Sequence, residues 1–79
     1  MAREKTKKVV FTFPTTTQAL LMEAAAKEAA ASGRLIPVPR QISAGCGMAF
    51  AAPVLEKERL QQLISLEEIE VEGIYELLL

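Results

Sequence analysis

The chain contains no histidine, tryptophan, aspartate or asparagine, and only one cysteine, Cys46. Each absence removes a class of chemistry. Zinc sites draw on several His, Cys or carboxylate ligands, and an EF-hand loop needs Asp or Asn at alternating positions. Ser-His-Asp and Cys-His catalysis need an imidazole that this chain cannot supply. Without asparagine there is no N-glycosylation acceptor. A single cysteine closes no internal disulfide, so the chain is not a stapled secreted domain. No metal or cofactor is expected. What remains is one strong nucleophile with no general base beside it in the inventory.

A length of 79 residues allows one small domain, and 51% hydrophobic with 24% charged residues is a globular composition. A core of this size supplies about 3–5 kcal/mol, so partner proteins or a second copy would help to stabilise it. The net charge of −1 disfavours nucleic acid or an anionic membrane as an obligatory partner, because phosphate binding relies on a basic surface. No apolar run is long enough to span a bilayer, and Met1 to Lys5 lead into no signal-peptide core, so a cytoplasmic location is expected. Charge is uneven along the chain. Arg3, Lys5, Lys7 and Lys8 open it, and Glu67, Glu68, Glu70, Glu72 and Glu76 close it. The basic start is either an anion-binding arm or a solvated segment beside an acidic strand. The expected organisation is a basic N-terminal tail over 1–8 and one domain over 9–79.

Val9-Val10-Phe11-Thr12-Phe13, ending at Pro14, is β-branched and aromatic and predicts a strand. Thr15 and Gln18 have capping-box spacing, so a helix is expected to start there. It should run through an alanine-rich stretch to Ser32-Gly33, with Gly33 in the left-handed terminal position. Arg34 to Arg40 predicts a second strand, in which Pro37 and Pro39 sit two apart. Their missing N–H groups then fall on one side, which only an edge strand tolerates, and the prolines blunt that edge against another chain. Gln41 to Gly47 is a turn rich in small residues, and Met48-Ala49-Phe50-Ala51 reads as a short buried strand. After Pro53, the apolar positions Leu55, Leu60, Leu63 and Ile64 among charged and amide residues predict an amphipathic helix with no good N-cap. Val71, Gly73, Tyr75 and Leu77 alternate with Glu70, Glu72, Ile74 and Glu76, a final strand with one largely acidic face.

The order strand, helix, strand, strand, helix, strand suits an α+β ferredoxin-like split βαβ arrangement, an antiparallel four-stranded sheet with two helices on one face. Its usual spatial order, 4-1-3-2, makes the second and fourth strands edges. The proline strand is second, as its chemistry requires, and the basic start of the first strand would lie beside the acidic fourth.

Gly45 and Gly47 flank Cys46, removing side-chain bulk so that the sulfur can be approached closely. In this topology the link shares one end of the sheet with the start of the first helix. The N–H groups around Thr16, Thr17 and Gln18 would face that end and favour an anion. Arg40 adds a positive charge, and both effects favour the thiolate. The hydroxyls of Thr15, Thr16 and Thr17 are candidate donors to a sulfur or selenium anion, Ser43 is a further polar neighbour, and the threonines also serve as helix caps. The other reading of Cys46, a small buried hydrophobe beside the Met48 strand, stays open on the residues alone.

Leu35-Ile36-Pro37-Val38-Pro39-Arg40, one residue, Ile42-Ser43, two residues, then Cys46-Gly47 resembles the central motif of a family of small bacterial selenium/sulfur carrier-like proteins. The resemblance extends to Phe13 and the threonines before Ala19-Leu20, and to Gly73-Ile74-Tyr75. Ala44-Gly45 stand before the cysteine where relatives often carry small hydroxyl residues. The resemblance implies that Cys46 carries sulfur or selenium as a persulfide or its selenium counterpart. A carrier of that kind would load from a cysteine-desulfurase-like donor protein and unload to an acceptor protein. The resemblance implies a carrier more than a self-sufficient enzyme, and a transferase-like relay remains within its chemistry. The competing reading is a regulatory or assembly module, homo-oligomeric in some arrangements, with a structural cysteine. An RNA-recognition fold is disfavoured, because Gly47-Met48-Ala49-Phe50-Ala51 offers one aromatic where that strand uses several.

Overall fold

Six residues, Lys7–Thr12, form the first strand, β1, and the side chains from Val9 onward are buried on both faces of the sheet. β-branched and aromatic residues suit such a doubly covered strand. In the computed structural model, which describes residues 6–42 and 47–79, β1 is followed by α1 (Thr16–Glu28), β2 (Arg34–Pro37), β3 (Met48–Pro53), a 3-10 turn (Val54–Glu56), α2 (Lys57–Leu66) and β4 (Gly73–Leu78). The strands form one antiparallel sheet in the order β2-β3-β1-β4, and with the two helices this is the ferredoxin-like α+β architecture. β1 starts at Lys7, ahead of the expected Val9, and Thr6 extends its pairing by exchanging backbone hydrogen bonds with Leu79 at 3.2 and 3.1 Å.

The helices cover one face. Val9, Phe11 and Phe13 of the β1 segment, with Phe50 and Ala52 of β3, meet Ala19, Met22, Ala25 and Ala26 of α1 and Leu60 of α2. The alanines let α1 lie close to the sheet, so the three phenylalanines fill the space between layers. Gly33 belongs to this packing. A Cβ there would meet the Phe50 ring, with Cζ at 2.6 Å.

Gly33 is therefore not the helix terminus that the sequence predicts. α1 ends at Glu28, and Ala30 takes the left-handed position at φ 55°. Ala30 N–H donates to Lys27 O at 3.1 Å and Ala31 N–H to Ala26 O at 2.8 Å, the paired bonds of a Schellman termination. α2 ends in the same way. Glu68 has φ 53°, Glu68 N–H donates to Ser65 O at 3.4 Å, and Ile69 N–H donates to Ile64 O at 3.0 Å. The buried Ile69 packs into the core and gives that terminus its hydrophobic contact. At the start of α2 no side chain caps the helix, as Ala52-Pro53 lead one to expect.

The acidic face expected of the last strand is mostly absent, because β4 begins at Gly73 and leaves Glu67, Glu68, Glu70 and Glu72 in the connection before it. Among the described residues, Glu76 is the glutamate that meets the basic start of β1. Its carboxylate lies 2.7 Å from Lys57 Nζ and 3.4 Å from Lys7 Nζ. The hydrogen bond and charge of Lys57, then Lys7, hold the Glu76 pKa below its ordinary value.

Two outcomes follow from these features. Ala30→Gly and Glu68→Gly should each raise stability by about 0.5–1 kcal/mol in chemical denaturation, since glycine carries no Cβ penalty in the left-handed region. Because the Glu76 pKa is depressed by folding, its contribution is complete above the unfolded carboxylate pKa and is lost as pH falls through the folded value. The stability gap between wild type and Glu76→Gln should therefore close on acidification, and it should narrow in high salt because the pair is exposed.

Candidate functional site

The strand registers fix which residues share an end of the sheet. Thr12 at the end of β1 pairs with Ala49 near the start of β3 and with Gly73 at the start of β4. The β2–β3 loop leaves from Pro37, which pairs with Met48, and Val38 N–H donates to Gly47 O at 3.1 Å to close its neck. The loop and the N-terminus of α1 therefore stand at one end of the sheet, as the topology expected from sequence requires. Ser43, Gly45 and Cys46 lie outside the described residues.

Ile42 N–H donates to Pro39 O at 2.9 Å, forming a tight turn through Arg40 and Gln41, and both of these side chains are exposed. Ile42 is 7% exposed and packs with Val10 and Ala49 on the face of the sheet opposite the helices, with Ile36, Val38, Ala51, Leu77 and Leu79 around them. The sequence reading did not find this second core. Its signal was the parity of β1, where Val10 must point away from Val9 and Phe11 and needs a cover. Gly47 has φ 75°, with open space where a Cβ would stand. A side chain there would be strained, and the backbone next to Cys46 in sequence is accessible.

On the helix face, Thr15 caps α1 and its hydroxyl accepts from Gln18 N–H at 3.4 Å. The exposed Thr16 and Thr17 begin the helix. The second half of the expected capping box is replaced. Gln18 Oε1 accepts from Glu70 N–H at 2.9 Å and ties the α2–β4 connection to the first turn of α1. Glu72 N–H donates to Thr12 O at 2.7 Å, and the buried Thr12 hydroxyl donates to Gly73 O at 3.4 Å. The backbone of the connection is thus held against the first turn of α1, and the Glu70 and Glu72 side chains are exposed. The threonines and Arg40 share an end of the sheet, but the threonines belong to the covered face and Ile42 anchors the loop against the open one. A shallow groove of 780 Å³ lies at the other end, lined by Lys8, Arg34, Ile36, Ala51, Pro53 and Leu79 among others. It does not serve the loop.

Residues 8–76 match the family described as "Putative Se/S carrier protein-like". The chain belongs to this family. In this Se/S carrier-like chain the match spans every strand and both helices, from Lys8 of β1 to Glu76 of β4, and includes the loop. No curated protein and no solved structure matches the chain. Among the described residues no helix is long and apolar enough to cross a membrane.

Ile42 is the apolar anchor of the loop. Ile42→Ala should cost about 2–3 kcal/mol in denaturant unfolding, and it should increase proteolytic cleavage within the loop in the native state.

Proposed function

We propose that this protein carries sulfur or selenium on Cys46 and passes it between partner proteins. The observation that carries the reading is membership of the Se/S carrier-like family by a chain whose sole thiol is Cys46. In the loading step the Cys46 thiolate attacks the outer sulfur of a persulfide on a donor protein. A new bond forms between Cys46 Sγ and that sulfur, the donor's S–S bond breaks, and the donor thiolate leaves with the electron pair. Cys46 then holds the persulfide. In unloading, an acceptor nucleophile attacks the outer sulfur, and the Cys46 thiolate is the leaving group. Neither step needs an imidazole if the thiolate is already formed at neutral pH, which suits a chain without histidine.

Local features support this chemistry. Arg40 is exposed on the turn beside the cysteine segment and supplies positive charge, and Gly47 on the other side of that segment is exposed as well. Thr15 is engaged as a cap, so the exposed Thr16 and Thr17 are the first-turn hydroxyls proposed as hydrogen-bond donors. Ser43 and Gly45 complete the candidate set as a polar neighbour and a small flanking residue. A carrier docks on its partners and needs no deep cavity at its own thiol. Sulfur- or selenium-donor and acceptor proteins of the cytoplasm are the partners this role requires.

Incubation with a cysteine desulfurase and cysteine should add one sulfur to the intact mass of the wild-type chain and none to Cys46→Ser. Wild-type alkylation should show a midpoint well below about 8.5, the pKa of an ordinary thiol, and Arg40→Gln should move it upward. A midpoint at or above that value, with no sulfur loading, would assign Cys46 a structural role in a regulatory or assembly module.

A further inference from the structure

The two edges of the sheet are built differently. On β2, Val38 N–H donates inward to Gly47 O, so Pro37 and Pro39 occupy positions whose amides face outward, and that edge lacks both donors. On β4 the exchanged bonds of Thr6 and Leu79 set the alternation. The peptide groups of Tyr75 and Leu77 face β1, while the N–H and C=O groups of Ile74, Glu76 and Leu78 face away from the sheet. No proline interrupts Gly73–Leu78, and Leu78 is 61% and Ile74 41% exposed. Such an edge is a template for another strand unless it is covered.

We propose that β4 is the interface for a second copy of this chain, the two strands pairing antiparallel about a two-fold axis at Glu76 to make one continuous sheet. The edge is complementary to itself in that register. Ile74 stands opposite Leu78 of the second copy and Leu78 opposite Ile74, so apolar side chains meet at both ends. The two Glu76 carboxylates meet at the centre, where like charges alone would repel. Each arrives with Lys57 Nζ at 2.7 Å and Lys7 Nζ at 3.4 Å, so the centre holds two ammonium groups for every carboxylate. A two-fold axis normal to the sheet keeps both helix layers on one face. It leaves β2 and β3 of each copy toward the outer edges of the joined sheet.

Light scattering coupled to size exclusion tests the assignment on the full chain across a concentration series. Wild type should run at twice the chain mass. Leu78→Pro removes one outward N–H, as Pro37 does on β2, and spares the β1–β4 bonds, so it should run as a monomer with an unchanged far-ultraviolet circular dichroism spectrum. Should that variant fail to fold, Leu78→Lys keeps the amide and places a charge opposite Ile74. It should raise the dimer dissociation constant at least about tenfold. A wild-type chain that stays monomeric at millimolar concentration overturns the proposal and leaves the edge to a strand from a different protein. A dimer that persists unchanged in the folded Leu78 variants also overturns it.

Discussion

Much of this structure depends on β1 being covered on both faces at once. Val9 and Phe11 point to the helices, with Phe13 continuing the series, while Val10 points the other way and is fully buried under Ile42. A slip of β1 by one residue would exchange the two sets and turn its phenylalanines away from the helices. The register of β1 against β3 and β4 is therefore fixed from both sides. The helices follow from the first face and the position of the β2–β3 loop from the second. Through Ile42, the segment leading to Cys46 is tied to the centre of the sheet.

That tie has a consequence for chemistry. For the carrier role proposed for Cys46, a loop must combine access with a defined starting position. Ile42 supplies the anchor, the Val38–Gly47 bond closes the neck, and Arg40 and Gly47 remain exposed. The first turn of α1 contributes its dipole at the same end of the sheet, while the Gln18–Glu70 bond draws an acidic segment toward it.

The element order, the edge position of the proline strand and the Thr15 cap were legible because each rests on local chemistry. Proline removes a donor wherever it stands, and a threonine three residues before an amide caps a helix with little help from elsewhere. The end of α1 was not legible, because a left-handed Ala30 violates local preference and is held by bonds to Lys27 and Ala26 and by the packing of the segment that follows. Gly33 looked like the natural terminus, yet it is needed immediately before β2, where the Phe50 ring leaves no room for a Cβ. The glutamates were assigned to a strand because alternation continues upstream of Gly73, where the backbone bends away from the ladder.

Sequence alone determined the inventory of reactive groups, the α+β class and the resemblance of the Pro39-Arg40 to Cys46-Gly47 segment to carrier-like proteins, since composition and short motifs do not depend on distant contacts. Tertiary structure decided which face the loop packs against, which lysines meet Glu76, and which edge keeps its outward amides. Those outcomes depend on register and on strand order, and both arise only when residues far apart in the chain are brought side by side.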